Sequence, residues 1–173
     1  ESGGQVGDTG VITGENGLEI RVEDTVKDPT GLTIHKGKVL AGTIKTSDPV
    51  TLKVDRKSRG ATALNHTATH ILHYALRKVL GDHVKQAGSL VAPDRFRFDF
   101  THFSQPTVDE LYEIERIVNE RVRQNVPVDI AEMDAEEAFQ SGATALFEEK
   151  YGDRVRVISL GDFSKELCGG THT

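Results

Sequence analysis

The chain has one cysteine among 173 residues. That count excludes an internal disulfide, and with it the stapled scaffolds of small secreted proteins, so a reducing, cytoplasmic setting is expected. It also excludes the Pro-Cys-x-x-Cys segment that a zinc nucleobase deaminase needs. No apolar run approaches the roughly 18 residues that span a bilayer, and the first residues show no basic stretch leading into an apolar one. Neither a membrane segment nor a secretory leader is expected. Positive charge is in deficit as well, with 21 basic against 27 acidic side chains and a formal net charge of -6. This is the wrong sign for gripping nucleic acid along the whole length, so any such contact must be local. Candidate spots are Lys53, Arg56, Lys57 and Arg59, then Arg77, Lys78 and Lys85, then Arg121 and Arg123; each cluster alone is better read as solvated surface. Internal repeats and low-complexity segments are also lacking.

What remains is an ordinary globular composition, 36% apolar and 28% charged. A chain of this length forms one domain or two small ones and buries roughly two-thirds of its unfolded surface. Beginning at Glu1 and ending one residue past His172, it reads as a piece excised from a longer protein.

Residues 1–57 carry β signals. Glu19 to Glu23 and Thr51 to Asp55 alternate polar and apolar residues, and Lys38 to Ile44 is a further strand candidate. Turns at Gly14 to Gly17, Asp28 to Gly31 and Ser47 to Pro49 separate them at short intervals, as in a small antiparallel barrel or curled sheet. Ahead of these strands, four glycines fall within the first ten residues. A flexible lead-in accounts for such a stretch by itself; the alternative is a backbone at Gly3 and Gly4 that closely approaches a ligand or another domain, with the Gln5 amide beside it. Phosphate-loop signatures ending in Lys-Ser or Lys-Thr are lacking.

Lys57 to Gly60 reads as a joint, after which the period changes. From Ala61 to Leu80, Leu64, Ala68, Ile71, Leu72, Ala75, Leu76 and Val79 recur at helical spacing, with Gly81 as a stop. Lys85 to Ser89 reads as a turn, Leu90-Val91 as a strand, and Arg95 to Phe100 alternates so that three phenylalanines cover one sheet face. Thr107 with Glu110 forms a capping box for a helix to about Asn125, on the stripe Leu111, Ile114, Ile117, Val118 and Val122. Val128 to Ile130 and Arg154 to Ile158 are strand candidates, Asp134 with Glu137 caps a short helix, and Leu146 to Lys150 is a helix candidate. The fold expected is α+β: an N-terminal antiparallel, barrel-like subdomain over 1–57, then an α+β core over 58–173 with helices packed on an antiparallel sheet.

Two short stretches carry chemistry. His66 and His70 are four apart on the expected helix, about one turn or 6 Å along its axis, so both rings can address one ion. Cys168 and His172 have the same spacing around a Gly-Gly pair suited to a tight loop. Together they make a tetrahedral N/S donor set that suits Zn²⁺ best, ahead of Fe²⁺ and Co²⁺. His73 lies near them without comparable support and reads as a neighbour of the site or a surface residue. Four protein ligands match a structural zinc; the 97 residues between His70 and Cys168, in a chain large enough to fold without a metal staple, argue the other way. Thr67 stands where a zinc peptidase helix carries its Glu, which speaks against peptidase chemistry.

Five stretches then resemble one family. Asn65 to Leu72, Gln86 to Ser89, Arg97 to Phe100, Cys168 to His172 and the leading Glu1 to Gln5, in order and spacing, resemble the editing region of bacterial alanyl-tRNA synthetases and the related freestanding editing proteins. The resemblance implies a hydrolase that deacylates tRNA(Ala) wrongly charged with serine or glycine. It implies Zn²⁺ held by His66, His70, Cys168 and His172, and Thr69 and Gln86 as residues that recognise the misplaced serine and support hydrolysis. Gly3, Gly4 and Gln5 are implied near the substrate. The implied partners are the 3′ end of tRNA(Ala) and the remaining domains of a parent synthetase, whose catalytic and C-terminal dimerisation domains the resemblance does not cover. Whether zinc polarises water or positions the substrate stays open, as do two alternatives, a non-catalytic zinc-stabilised module that binds the tRNA acceptor end and a freestanding trans-editing deacylase.

Overall fold

A computed structural model describes residues 3–145 and 152–173; the helix expected over 146–150 lies outside them. Strands β1 (Gly10–Gly14), β2 (Glu19–Lys27), β3 (Thr33–Ala41) and β4 (Val50–Val54) form a four-stranded antiparallel sheet in the order β3-β2-β1-β4. The sheet is open, not a closed barrel, and leaves β3 and β4 as edges. Lys36 and Lys38, paired with Asp24 and Glu23 at 3.4 and 3.2 Å, put charge along the β3 edge, which blunts pairing with another chain.

Strand β3 starts five residues earlier than the composition suggests. The Asp28 carboxylate accepts hydrogen bonds from the Thr30 and Leu32 amides at 2.9 Å each and so closes the preceding turn. Gly42, at φ +73° and where a Cβ would stand 2.7 Å from the Leu18 backbone, ends the strand. Strand β1 lies partly within the glycine-rich lead-in, because a Cβ at Gly10 would stand 2.3 Å from the Lys53 carbonyl of β4. Its pairing, not its own propensity, makes it a strand.

Helix α1 runs over Arg56–Leu80, capped by the Asp55 carboxylate, which accepts from the Lys57 and Ser58 amides. Lys57 to Gly60 is therefore the first turns of the helix and not a joint; the sheet passes into the helix at a single residue. Gly81 is the C-cap, as expected. The burial of α1 differs from its apolar stripe. Leu64 is 63% exposed, whereas Thr62, His66, Thr67, Thr69, His70 and His73 are buried. Its first half buries polar side chains against other loops, and only its second half, through Ala75, Leu76 and Leu80, enters an apolar core. That core also holds Val84 and the buried face of α2 (Val108–Gln124), Ile114 and Ile117, with Phe98 and Phe100 against it. Leu111 and Val122, assigned to the same stripe, are 53% and 54% exposed. Thr107 and Glu110 form the expected capping box, and Asn125 closes α2 in the left-handed conformation.

Strand β5 (Gln86–Val91) pairs with β6 (Phe96–Phe100). The stretch read as a turn is thus largely strand, with a bulge between Gln86 and Gly88. Val91 is also bridged in parallel to Gln5, which draws the lead-in onto the core. The remaining elements are β7 (Val128–Asp134), α3 (Ala135–Gln140), β8 (Thr144–Ala145), β9 (Arg154–Leu160) and β10 (Ser164–Leu167). Their sheet has the order β7-β9-β10-β8, antiparallel except for β8 with β10. Asp134 precedes α3 but makes no side-chain cap bond; its carboxylate lies 3.6 Å from Arg154 instead. A second core of Ala138, Ala143, Val155, Val157 and Leu167 sits under α3. Among the described residues, no helix is long and apolar enough to cross a membrane.

Candidate metal centre

The fold brings His66, His70, Cys168 and His172 together, with one ligand atom from each lying within 4.8 Å of the others. Helix α1 supplies the first pair, whose rings are parallel within 1° at 5.8 Å. The loop after β10 supplies the second. That loop is tied to β9, since the Cys168 amide donates to the Arg156 carbonyl at 3.1 Å and the Arg156 guanidinium donates to the Gly170 carbonyl. Thr67, the residue after His66 on α1, holds the far end: its hydroxyl lies 3.4 Å from His172 Nδ1 and donates to the Thr173 carbonyl at 3.2 Å.

Each helical imidazole is turned by a partner behind it. His66 Nδ1 donates to Gln5 Oε1 at 2.8 Å, so Nε2 faces the cluster, 3.4 Å from Cys168 Sγ. His70 Nδ1 donates to Glu166, leaving a buried Nε2 with no hydrogen-bond partner among the described residues. His172 Nε2 lies 3.4 Å from the same sulfur. A tetrahedral ion with usual Zn–N and Zn–S lengths requires N···S edges of about 3.5 Å. The donor set, its spacing and the orphaned His70 Nε2 therefore fit zinc. Carbonyl or carboxylate acceptors behind metal-binding histidines fix the tautomer in this way.

Charge in the site follows from burial and pairing. Burial pushes the Cys168 thiol up, but the His172 and His66 imidazoles against its sulfur, with the charge of His70 beside them, overcome it and hold the group at about 3. Burial likewise opposes ionisation of Glu166, and His70 with His73 overcome that, lowering it to about 2. Burial lowers His70, while Cys168 and Glu166 raise it further, to about 10. A buried thiolate and a buried carboxylate thus share one pocket, and the pocket demands positive charge. A proton on His70 supplies it in the metal-free chain; a divalent cation suits the same need.

The lead-in closes the site. Gly3 and Gly4 have φ of +70° and +75°, and a Cβ at Gly3 would lie 2.9 Å from His66 Nε2. At Gly170 a Cβ would fall 1.9 Å from His66 Cε1. Both loops approach the imidazole so closely that only glycine fits. Gln5 Oε1 also accepts from the Thr171 amide and hydroxyl at 2.9 and 3.0 Å, which joins lead-in, helix and terminal loop through one oxygen.

Thr69 is buried on α1, and its hydroxyl donates to the His66 carbonyl at 2.7 Å. Gln86 is half-buried at the start of β5; the bonds that tie the four ligands to Gln5, Glu166 and Thr67 do not include it. One residue of the site escapes sequence reasoning. Glu166 bridges His70 and His73, the latter at 2.7 Å, and of the two readings of His73 the structure selects the neighbour of the site, buried, over the surface residue. The available signal was a carboxylate two positions before a ligand, near enough to stand behind an imidazole of the same site.

Comparison with known proteins agrees with this geometry. The family of class II tRNA synthetases (A) matches residues 1–58. The alanine–tRNA ligase of Desulfosudis oleivorans is 62% identical over 171 residues, 99% of this chain and 19% of that protein. Those of Halorhodospira halophila and Thermotoga petrophila are 59% and 55% identical over 172 residues, 99% of this chain and 20% of each protein. The chain matches a segment of alanine–tRNA ligases. It spans about a fifth of the length of the curated relatives it matches, and the alanine–tRNA ligase match covers both the N-terminal sheet and the metal centre.

Proposed function

We propose that the chain is the editing part of an alanine–tRNA ligase, which hydrolyses the ester of tRNA(Ala) wrongly charged with serine or glycine. The observation that carries this reading is the His66, His70, Cys168 and His172 cluster, walled by glycine backbone and built into a chain whose relatives are alanine–tRNA ligases. On this reading residues 1–57 form the subdomain that brings Gly3, Gly4 and Gln5 to the substrate, and residues 58–173 form the editing core. Its partners are the charged 3′ end of tRNA(Ala) and the rest of the synthetase.

An aminoacyl ester is already activated, so hydrolysis requires a water directed at the carbonyl while the bond to the ribose oxygen breaks. Zinc held by His66, His70, Cys168 and His172 would supply a positive centre that polarises water or holds the substrate. Gln5 and Glu166 orient the imidazoles. Thr69 spends its proton on the His66 carbonyl, and its remaining lone pairs are acceptors for the hydroxyl of a misplaced serine. Alanine would leave those lone pairs buried and unpaired, which is how a polar site spares the smaller substrate. Gln86 is assigned to the same recognition.

Incubating the chain with seryl-tRNA(Ala) should give turnover above a no-protein control. Cys168→Ala should lower zinc content and deacylation together. Thr69→Val should erode the preference for seryl- over alanyl-tRNA(Ala) by about tenfold or more, a larger effect than its effect on the thermal midpoint; unaltered selectivity would remove Thr69 from that role. The second reading, a non-catalytic zinc-stabilised module at the tRNA acceptor end, is favoured by the four protein ligands, which complete a tetrahedron. Retained hydrolysis after metal loss would make the zinc structural, and no turnover with intact RNA binding would select the module.

A further inference from the structure

Positive charges far apart in sequence meet beside α1. A cleft of about 530 Å³ is lined by Tyr74, Arg77, Lys78, Phe163, Ser164 and Lys165. A second hollow, of about 420 Å³, shares Tyr74 and Lys78 with it and adds Arg116 and Arg121. The acidic groups in these walls are already engaged. Asp82 pairs with Arg77 at 3.1 Å, Glu166 with His70 and His73, and Glu113 and Glu120 with Arg116 at 2.7 and 3.1 Å.

Three cations are left without an acidic partner among the described residues. Lys165 reaches only the Ser141 carbonyl, at 3.4 Å. Arg121 donates to Gln124 and to the Tyr74 hydroxyl at 2.9 and 3.2 Å, and its guanidinium lies 4.6 Å from the centre of the Phe163 ring. Lys78 is exposed. In the same wall, Ser164 is 8% exposed and its buried Oγ has no hydrogen-bond partner among the described residues. A buried hydroxyl without a partner is costly unless a ligand satisfies it.

We propose that this cleft docks phosphate groups of an RNA backbone. Lysine ammonium groups and a stacked arginine suit phosphate oxygens, Ser164 adds a neutral donor, and Tyr74 and Phe163 hold the arginine flat. On a chain of net charge -6, a site of this kind localises a polyanion that the rest of the surface repels. The choice of RNA rests on the tRNA reading above; the phosphate chemistry rests on the cleft alone.

The test is titration of the 173-residue chain into a fluorescent RNA hairpin with a single-stranded 3′ tail and no amino acid, read by anisotropy at several salt concentrations. Lys78→Ala with Lys165→Ala should weaken binding by about tenfold and reduce the slope of log affinity on log salt by about 1.4, at roughly 0.7 per phosphate contact. Lys36→Ala on β3 should change neither. Amide shifts at Lys78, Ser164 and Lys165 should follow the RNA, and Ser164→Ala should weaken binding by a few-fold. Equal affinity of the double variant and the parent, or no RNA binding by the parent, overturns the proposal. So does a glutamate-rich peptide that outcompetes the RNA. Because the probe carries no ester, failed deacylation with intact lysine dependence refutes the editing reading and spares this one. Intact deacylation without lysine dependence does the reverse.

Discussion

The N-terminal sheet and the first half of α1 hold their residues by opposite means. Every residue of β3 is exposed, and the buried apolar side chains of that region are few, Ile12, Leu18 and Val22. Its order comes from ladder hydrogen bonds and turns. Along α1 the buried residues around the metal centre are polar, His66, Thr67, Thr69, His70 and His73, each bonded to a named partner or aimed at the donor cluster. A sheet of the first kind tolerates side-chain change, because little is desolvated. The second kind does not, because removing one partner strands another in a dry site.

The largest effect is expected at Glu166, a residue on which two buried imidazoles depend. Glu166→Ala should cost about 3–5 kcal/mol in the metal-free chain, the scale for breaking a buried charged pair, and weaken zinc about 10- to 100-fold. Thermal melts with and without chelator, and competition against a zinc indicator, measure the two. Next comes Gly170→Ala. Its methyl would overlap the His66 ring, so zinc occupancy should fall sharply while far-ultraviolet dichroism of the helices is preserved; full occupancy would show that the loop can retreat.

A smaller and reversible effect is expected with acid. Glu166 is held below its ordinary 4.5, at about 2, so the unfolded chain binds a proton that the folded chain refuses. Its stabilisation is present above about 4.5 and is lost as pH falls toward 2. Cys168, also held low, acts in the same direction. Metal-free stability should therefore decline through this acid range, and Glu166→Gln should flatten the decline seen in denaturant titrations. The smallest effect belongs to the sheet: Val39→Thr, at a position 54% exposed, should move stability by no more than about 0.5 kcal/mol. A loss of several kcal/mol there would erase the contrast between the two regions.

Much of this was legible from residue order. The capping box of Thr107 and Glu110, the stop at Gly81 and the ligand pairs follow from local spacing, and local spacing is written in the chain. Less legible were the elements that pairing creates. Strand β1 reads as a loose glycine run until β2 and β4 flank it, and Gln86 to Ser89 reads as a turn until β6 supplies partners. The start of α1 was hidden by Gly60, where a Cβ would point into open space and which the helix accommodates at small cost.

By itself the sequence determined the helices, the four-residue ligand spacing and the kinship with alanine–tRNA ligases, because periodicity and motif are properties of neighbours along the chain. Only the tertiary structure decided which side of α1 is buried. The terminal loop, the lead-in and Glu166 converge on its polar face and supply hydrogen bonds that water would otherwise make. That exchange turns Leu64 outward and three histidines inward, against the rule that apolar residues mark the inside.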